Sequence, residues 1–335
     1  MLTDIEKIIF ILLAIIAIGL SYTTFNKMFK AIGVGSQQID WKRALLNFPK
    51  GLEVFISQRT MFKTRPVIGF IHALVAWGFT LYLIVNIVDV LYGFIPGFHF
   101  FPNYFIGKVY RLFVDIFTVL VLLGVVYFLV RRFIFKDNRL VINEPVMLND
   151  LAKKGMRNDS LIVGLFIFVH VGSRLLAASF EIARNGSDTF QPAATTIALL
   201  WSDFSQESII ISEHIFWWIA LGLILGFLPY FPFTKHAHLF MGPLNYMAKT
   251  ERKSMAALEA IDFEDDSIDQ FGAGQLGHLP QSQILDAYAC IQCSRCQDAC
   301  PAYETGKELS PSALEINKRY LLMDPVQMLQ LRIFY

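Results

Sequence analysis

The chain has 335 residues and a formal net charge of +1, and 55% of its residues are hydrophobic while only 17% are charged. With a mean hydropathy of +0.48, this composition excludes an ordinary soluble protein and predicts a membrane domain joined to a small soluble module. The near-zero charge gives no indication of a nucleic-acid partner.

Five segments are long and apolar enough to cross a bilayer, since a spanning helix needs about 20 residues. They run approximately over residues 5–25, 66–92, 109–133, 161–183 and 209–233. The first is not a cleaved signal peptide, because Asp4 and Glu6 stand at its start and no small-residue cleavage site follows. Residues 1–247 are therefore predicted to form an all-α membrane domain, a five-transmembrane-helix bundle.

Lys and Arg residues are concentrated after the first, third and fifth segments, which indicates that these loops are cytoplasmic. The opposite side carries little beyond Lys7, Lys108, Arg111 and Arg184. We therefore expect a multi-pass protein of the inner (cytoplasmic) membrane, with its N-terminus outside and its C-terminal part in the cytoplasm.

The composition changes after Met247. Residues 248–280 are polar and then glycine-rich, which predicts a linker with a short surface helix within residues 249–270. A helix is expected over residues 281–289, and another is expected to begin at Ser310 and Pro311. Residues 281–335 thus form a separate module, and the apolar helix still in progress at its end is typical of a module truncated at its C-terminus.

All four cysteines lie in one run, Cys290, Cys293, Cys296 and Cys300, followed by Pro301. The pattern C-x2-C-x2-C-x3-C-P is the bacterial ferredoxin spacing for a [4Fe–4S] cluster. The alternatives are a zinc knot or a disulfide pair, but zinc sites usually present two separated pairs, and disulfide scaffolds are short and secreted. We predict a small α-helical ferredoxin-type module, in which Cys300 completes this cluster or serves a second one.

Histidines in the membrane domain are the second indication of a cofactor site. His72 lies about 10 Å into the second segment from its cytoplasmic end, and His238 follows the fifth segment on the same side. A haem between two helices needs one imidazole from each at matching depth, so we predict that both are axial ligands of haem b. The alternative is a hydrogen-bonded histidine that packs two helices.

His170, Arg174 and Glu181 share one face of the fourth segment, and that face must point into the bundle. The functional interpretation is a haem propionate or quinone bound by Arg174 and a quinone or proton site around His170 and Glu181, with Tyr82 as an additional donor. The alternative is a structural stripe of ion pairs.

Near the outer surface, the residues Asp89, Arg111 and Asp115 are expected to form surface ion pairs. His214 lies near the outer end of the fifth segment.

Two short runs resemble the haem b membrane subunit of respiratory nitrate reductase, a five-span family with an outside N-terminus and bis-histidine haems. They are residues 230–238 (YFPFTKHAH) and residues 69–72 (GFIH). The resemblance implies ligation of the haem nearer the cytoplasm by His72 and His238. The ligand positions of the family's outer haem are Tyr82 and Ala220 here, so that haem is not expected. A second haem between His170 and His214 is the lower-ranked alternative, because their depths match poorly.

The run from Leu285 through Cys300 to Pro311 closely resembles the catalytic subunit of membrane-bound heterodisulfide reductase. The fused arrangement is similar to that of membrane-bound electron-transfer-flavoprotein:menaquinone oxidoreductases. The resemblance implies a quinone-linked iron–sulfur oxidoreductase, or a subunit of one. Electrons would pass between a cytoplasmic partner, such as electron-transfer flavoprotein, and menaquinone in the lipid bilayer through the [4Fe–4S] centre and haem b.

Two alternatives stay open at this stage. One is a quinol-linked subunit that sends electrons to a cytoplasmic disulfide. The other is a non-catalytic membrane anchor for a soluble redox complex. The family's second ferredoxin run and its Cys-Cys-Gly regions are absent from this sequence.

Overall fold

The structure is a computed structural model that describes residues 2–143, 146–249, 262–265, 267 and 271–324. Those residues form α-helices and short 3-10 helices, and they contain no strand. Two compact units divide the chain. The first comprises Met1–Tyr22, Thr60–Asp137 and Asn158–Tyr230, and the second comprises Thr23–Arg59, Asn138–Arg157 and Phe231–Tyr335.

In chain order, the α-helices of the described residues are α1 (Asp4–Gly33), α2 (Trp41–Leu46), α3 (Phe48–Ser57), α4 (Arg59–Thr64), α5 (Pro66–Phe94), α6 (Phe105–Phe133), α7 (Asp150–Asn185), α8 (Pro192–Ala198), α9 (Gln206–Tyr230), α10 (His238–Ala248), α11 (Gln281–Ala289), α12 (Arg295–Asp298), α13 (Pro301–Glu304) and α14 (Pro311–Met323).

Five helices are long and apolar enough to cross a membrane: α1, α5, α6, α7 and α9 with the 3-10 turn that follows it. They confirm the five apolar helices expected from the sequence and are compatible with a multi-pass membrane protein. The helices α1 and α7 extend well beyond their apolar parts. Backbone hydrogen bonding does not depend on side-chain polarity, and no proline interrupts either helix, so each continues past the apolar residues.

Small residues let α5 and α6 pack closely in the first unit. A Cβ atom on Gly78 would collide with the side chain of Val121, and one on Gly124 would lie 2.6 Å from Val75 Cγ2. Glycine at such positions allows the close backbone approach on which helix association in a bilayer depends.

The expected surface cluster of Asp89, Arg111 and Asp115 is wrong. Asp115 is only 1% exposed, and its carboxylate accepts hydrogen bonds from the first free backbone N–H groups of α8, those of Ala193 at 2.7 Å and Ala194 at 3.0 Å. Asp115 therefore acts as an N-cap supplied by another helix. Arg111 pairs instead with Asp188 at 2.6 Å.

In the second unit, α11 packs along α10, and α10 also packs against α2 and α3. The side chain of Asn245 on α10 donates to Asp286 on α11 at 2.5 Å. The helix predicted over residues 281–289 is confirmed as α11. The helix predicted to begin at Pro311 is confirmed as α14, with Ser310 as an N-cap that accepts from Ala313 N. The surface helix expected within residues 249–270 falls mainly on residues 250–261, which lie outside the described residues, as does the end of the module after residue 324.

Replacing Asp115 by alanine removes the acceptor of two backbone N–H groups, and leaving them unpaired costs about 1–3 kcal/mol. We expect Asp115→Ala to lower the apparent unfolding temperature of the protein in detergent. Asp115→Asn should lower it less, because its amide oxygen still accepts one of the two bonds. The exposed Asp203→Ala is the matched control and should leave the midpoint unchanged. Equal midpoints for Asp115→Ala and this control would contradict the capping role.

Candidate cofactor sites

The four cysteines lie around one loop of the second unit. Cys290 follows the last residue of α11, Cys293 lies in the loop, Cys296 is in the short helix α12, and Cys300 immediately precedes Pro301 at the start of α13. None of the four forms a disulfide bond with another described residue, and Cys296 is the exposed one. The sequence run therefore folds as a single tight turn of chain rather than as a disulfide pair.

Two left-handed residues shape this loop. Gln292 has φ of 56° and Ser294 has φ of 59°, a conformation that residues with a Cβ atom adopt rarely. Both residues are buried. Strained backbone of this kind persists only where the surrounding structure holds it, and it concentrates at functional sites.

Two of the sulfur atoms accept hydrogen bonds. The backbone N–H of Gln292 lies 3.4 Å from Cys290 Sγ, and Arg295 Nε lies 3.3 Å from Cys293 Sγ. Loss of solvent around Cys290 raises the pKa of its thiol to about 12. A bound cofactor that stabilises the thiolate would offset this cost.

The side chain of Gln292 fits a cluster in this loop. Its Nε2 and Oε1 atoms are buried and have no hydrogen-bond partner among the described residues. A buried amide needs a partner, and the sulfur atoms of a [4Fe–4S] cluster accept hydrogen bonds. In the described part of the chain, no group of three or more His, Cys, Asp or Glu side chains is arranged to hold a single metal ion. Four thiols beside a buried amide fit the chemistry of a [4Fe–4S] site, and the choice between a cluster and a zinc knot rests on the cysteine spacing.

His238 is the first residue of α10, and its Nδ1 lies 2.6 Å from the carbonyl oxygen of Lys235. A carbonyl oxygen only accepts, so Nδ1 carries a hydrogen, and in a neutral ring the lone pair is then on Nε2. This tautomer and this support from a carbonyl are typical of a histidine that ligates iron. Burial lowers the pKa of the neighbouring His236 to about 4, so that imidazole is neutral at pH 7.

His72 is half-buried in the second turn of α5, and its ring meets the ring of Phe128 on α6 edge-on, with centroids 6.5 Å apart. His72 belongs to the first unit and His238 to the second. The pairing of these two histidines on one haem stays a prediction from the sequence.

His170 lies between the two positions at which an outer haem would have its ligands. Its Nδ1 donates to the carbonyl oxygen of Ala220 on α9 at 2.8 Å, and its ring meets the ring of Tyr82 on α5 edge-on, with centroids 5.6 Å apart. A histidine from α7 thus contacts both residues, and these contacts are the packing role left open as the alternative for a histidine in a span.

The hydroxyl of Tyr82 is engaged within the bundle. It lies 2.7 Å from Thr118 Oγ1, and Thr118 in turn donates to the carbonyl oxygen of Val114 at 2.6 Å. Since the hydrogen of Thr118 is used, Tyr82 is the donor to Thr118. This bond directs the Tyr82 hydrogen toward α6, away from any ligand beside His170.

His214 interacts with the beginning of α1. Its Nδ1 lies 3.0 Å from Glu6 Oε1, and Trp218 Nε1 donates to the same oxygen at 3.0 Å. His214 precedes Ala220 on α9 by six positions, or about 9 Å of helical rise, while His170 lies level with Ala220. The two histidines are offset in depth, as expected from the sequence.

A cavity of about 290 Å³ lies in the first unit, where α5 and α7 end and α6 begins. Arg174 Nε lies 3.2 Å from Asp89 Oδ2 at this cavity, and the two side chains are 14% and 19% exposed. Glu181 lines the same cavity, and so does Tyr110, whose buried hydroxyl has no hydrogen-bond partner among the described residues. The structure therefore brings Arg174 and Glu181 together, whereas His170 faces Tyr82 and Ala220.

Three residues of these sites were not assigned a role from the sequence. Gln292 and Tyr110 are ordinary polar residues whose importance lies in a buried atom without a partner. Asp89 was assigned to the surface, and only the packing of α5 against α7 reveals it as the partner of Arg174. A buried basic residue on a spanning helix was the available signal, because it requires a carboxylate on a neighbouring helix.

The chain is similar to two oxidoreductases. It is 35% identical over 257 residues to a protein of Bacillus subtilis (strain 168) named "Probable iron-sulfur-binding oxidoreductase FadF", a match that covers 75% of this chain and 34% of that protein. It is 26% identical over 256 residues, 74% of this chain and 34% of the relative, to the "EtfAB:quinone oxidoreductase" of Syntrophomonas wolfei subsp. wolfei (strain DSM 2245B / Goettingen). The chain thus spans about a third of the length of the curated relatives it matches. No protein-family profile and no solved structure matches it significantly.

The Arg174–Asp89 pair should show strong energetic coupling. Removing one partner of a buried pair leaves the other charge uncompensated and costs about 3–5 kcal/mol. We expect Arg174→Met and Asp89→Leu each to lower the free energy of unfolding in mixed micelles by that order, and the double variant to recover most of the loss. The exposed pair Lys153–Asp150, 58% and 89% exposed, is the matched control and should show coupling below about 1 kcal/mol. Equal coupling energies for the two pairs, each obtained from its single and double variants, would contradict a buried pair.

Proposed function

We propose that this chain is the membrane-embedded part of an iron–sulfur oxidoreductase that transfers electrons between a cytoplasmic redox partner and a quinone. The observation that carries the proposal is the cysteine loop: four cysteines on one tight turn, with hydrogen-bonded sulfur atoms and a buried amide that needs a partner. The names of both relatives support this chemistry, one through iron–sulfur binding and the other through a quinone.

Cys290, Cys293 and Cys296 would hold a [4Fe–4S] cluster, with Cys300 as its fourth ligand or as a ligand of a second cluster. His72 and His238 would be the axial ligands of a haem b. When bound, these groups supply one-electron carriers, and the protein supplies ligands, orientation and tuning. Within the second unit, Lys235 orients the His238 imidazole, and Arg295 and Gln292 direct N–H groups at the thiol sulfurs.

The proposed orientation places the N-terminus outside and the cysteine module in the cytoplasm of a cell with an inner (cytoplasmic) membrane. The positive-inside distribution of Lys and Arg supports it. A reducing cytoplasm also keeps the thiols available for cluster assembly. The partner on that side would be an electron-transfer flavoprotein, since one relative is named for the EtfAB protein.

The cavity at the ends of α5 and α7 is the proposed site of the quinone, with menaquinone as the expected species. Arg174 and the unpartnered hydroxyl of Tyr110 present donors toward quinone oxygens, and Glu181 is placed to exchange a proton with them. The cavity volume of about 290 Å³ is close to the lower end of small-molecule pockets, about 300 Å³. A naphthoquinone ring fits this size, and its isoprenoid tail would extend into lipid.

The cavity lies far from His72 along α5. Asp89 lies more than four helical turns after His72 on α5, about 25 Å of rise. A quinone in the cavity would therefore exchange electrons with a haem at His72 over a long distance. A quinone bound nearer His72 would leave variants of the cavity without effect, which makes their kinetics decisive.

The cofactors should respond separately to substitution of their ligands. His72→Ala and His238→Ala should each abolish the sharp α and β bands of dithionite-reduced haem, because loss of one imidazole ends low-spin coordination. Cys293→Ala should remove the electron paramagnetic resonance signal of the reduced cluster and leave the haem bands intact, since the Cys293 sulfur would ligate the cluster and not the haem.

Two histidines serve as controls. His236→Ala, two positions before His238, should keep the haem spectrum, and so should His99→Ala, in the loop after α5. His214→Ala tests the second haem, because the haem content per chain falls by half only if His214 binds one. A normal low-spin spectrum in both His72→Ala and His238→Ala, or zinc in place of iron after anaerobic purification, would overturn the assignments.

Neutral replacements in the cavity should slow the reaction with quinone. We expect Arg174→Gln and Glu181→Gln to reduce the rate of haem oxidation by a menaquinone analogue at least tenfold, because the first removes a cation from the cavity and the second removes a carboxyl group that can exchange a proton. Haem reduction through the cysteine module should be nearly unchanged. Stopped-flow absorption spectroscopy separates the two half-reactions. Exposed Glu207→Gln is the control, and parental oxidation rates in both cavity variants would show that the quinone binds elsewhere.

A further inference from the structure

Arg319 on α14 is the largest side chain in the described residues that is less than 2% exposed. It belongs to the second unit and lies in a helix whose neighbouring residues, Lys318 and Glu315, form an ordinary ion pair at 2.9 Å. A buried guanidinium is expensive unless its N–H groups are satisfied. The acceptors of Arg319 therefore indicate what this residue holds in place.

The guanidinium of Arg319 joins two loops. Its Nη1 donates to the carbonyl oxygen of Cys290 at 3.1 Å, and its Nη2 donates to the carbonyl oxygen of Thr234. Cys290 begins the cysteine loop, and Thr234 lies in the turn that leads to His238. Both acceptors bind the same planar group, so their oxygen atoms lie within roughly 8 Å of each other, two hydrogen bonds and the width of a guanidinium.

The turn on the Thr234 side is itself firmly held. Thr234 is 0% exposed, and its hydroxyl donates to the carbonyl oxygen of Phe231 at 2.9 Å while it accepts from the backbone N–H of His236 at 3.2 Å. The next carbonyl, that of Lys235, fixes the His238 imidazole. A displacement of Thr234 would therefore also move the ring of His238.

The packing of α10 and α11 agrees with this arrangement. The two helices pack against each other, and Asn245 on α10 donates to Asp286, which lies four residues before Cys290. The 3-10 turn Lys235–Ala237, which leads to His238, also packs against α11. The cysteine loop and the His238 turn are therefore close to each other in the second unit.

We propose that Arg319 is a positioning residue that ties the cysteine loop to the His238 turn and so sets the distance and the difference in potential between a cluster and a haem bound there. The inference rests on the proposed function. Its charge acts as well as its geometry, because a buried cation beside Cys290 favours the reduced, more negative state of a cluster.

Two substitutions separate these contributions. Arg319→Met removes both the charge and the bridge, so the midpoint potential of the cluster, titrated by electron paramagnetic resonance, should become more negative. We expect at least a tenfold change in the ratio of oxidised to reduced cluster, which is 59 mV for one electron. Arg319→Lys keeps the positive charge but cannot donate to both carbonyls from one planar group. It should therefore retain the cluster midpoint potential of the parental protein.

Two measurements on the full chain test whether Arg319 links the two loops. Amide hydrogen exchange in residues 231–238 and 290–300 should accelerate together in Arg319→Met and, to a smaller extent, in Arg319→Lys. The rate of electron transfer from cluster to haem should fall at least tenfold in both variants. Lys318→Met is the matched control, since it removes a cation from the same helix that contacts Gln283 rather than either loop. It should leave exchange, potential and rate unchanged.

The outcomes distinguish this inference from the proposed function. A parental protein without iron or haem would refute the proposed function, and hydrogen exchange would still test whether Arg319 links the two loops. Parental exchange protection in Arg319→Met, or a cluster potential and transfer rate unchanged in a fully loaded variant, would overturn the role of Arg319. If Arg319→Met does not fold, Arg319→Lys carries the test, and normal exchange and rate in that variant would also overturn it.

Discussion

Inside an apolar helix bundle, a group that forms hydrogen bonds gains nothing from lipid, so another part of the protein must satisfy it. This constraint determines where the polar residues of the first unit lie and which helices meet. Asp115 on α6 serves the N-terminus of α8, Arg174 on α7 requires Asp89 on α5, and His170 on α7 requires a carbonyl of α9. The hydrophobic surface of these helices alone would allow many rotations, whereas each such pair selects one.

The same constraint separates a packed middle from a cavity at one end. In the middle, His170 Nδ1, the Tyr82 hydroxyl and the Thr118 hydroxyl each form a hydrogen bond within the protein. At the end where α5 and α7 finish, Tyr110 keeps a buried hydroxyl without a partner beside Arg174 and Glu181. A ligand that brings its own acceptor would complete that set, which is why we place the quinone in the cavity rather than beside His170.

The five long helices, α11 and the start of α14 could be predicted from the sequence because each depends on local information: apolar length, a proline at the first turn, or a capping serine. The partners of the polar residues could not. Helical spacing places His170, Arg174 and Glu181 on one face, but the rise between His170 and Glu181 is about 16 Å, too long for one quinone head group. Asp115 was assigned to the surface because a sequence does not show that α8 begins beside it.

Arg319 shows why the second unit was harder to predict than its cysteines. Cysteine spacing is a local property, since the loop between Cys290 and Cys296 closes on itself. The role of Arg319 depends on Thr234, a residue far away in sequence that reaches it only when α10 and α11 are paired. In α14 an arginine followed by Tyr320 and leucines is typical of a half-exposed amphipathic helix. Two carbonyls from different loops converge on its guanidinium and help to satisfy it, and that convergence is the property through which the helix could couple two redox centres.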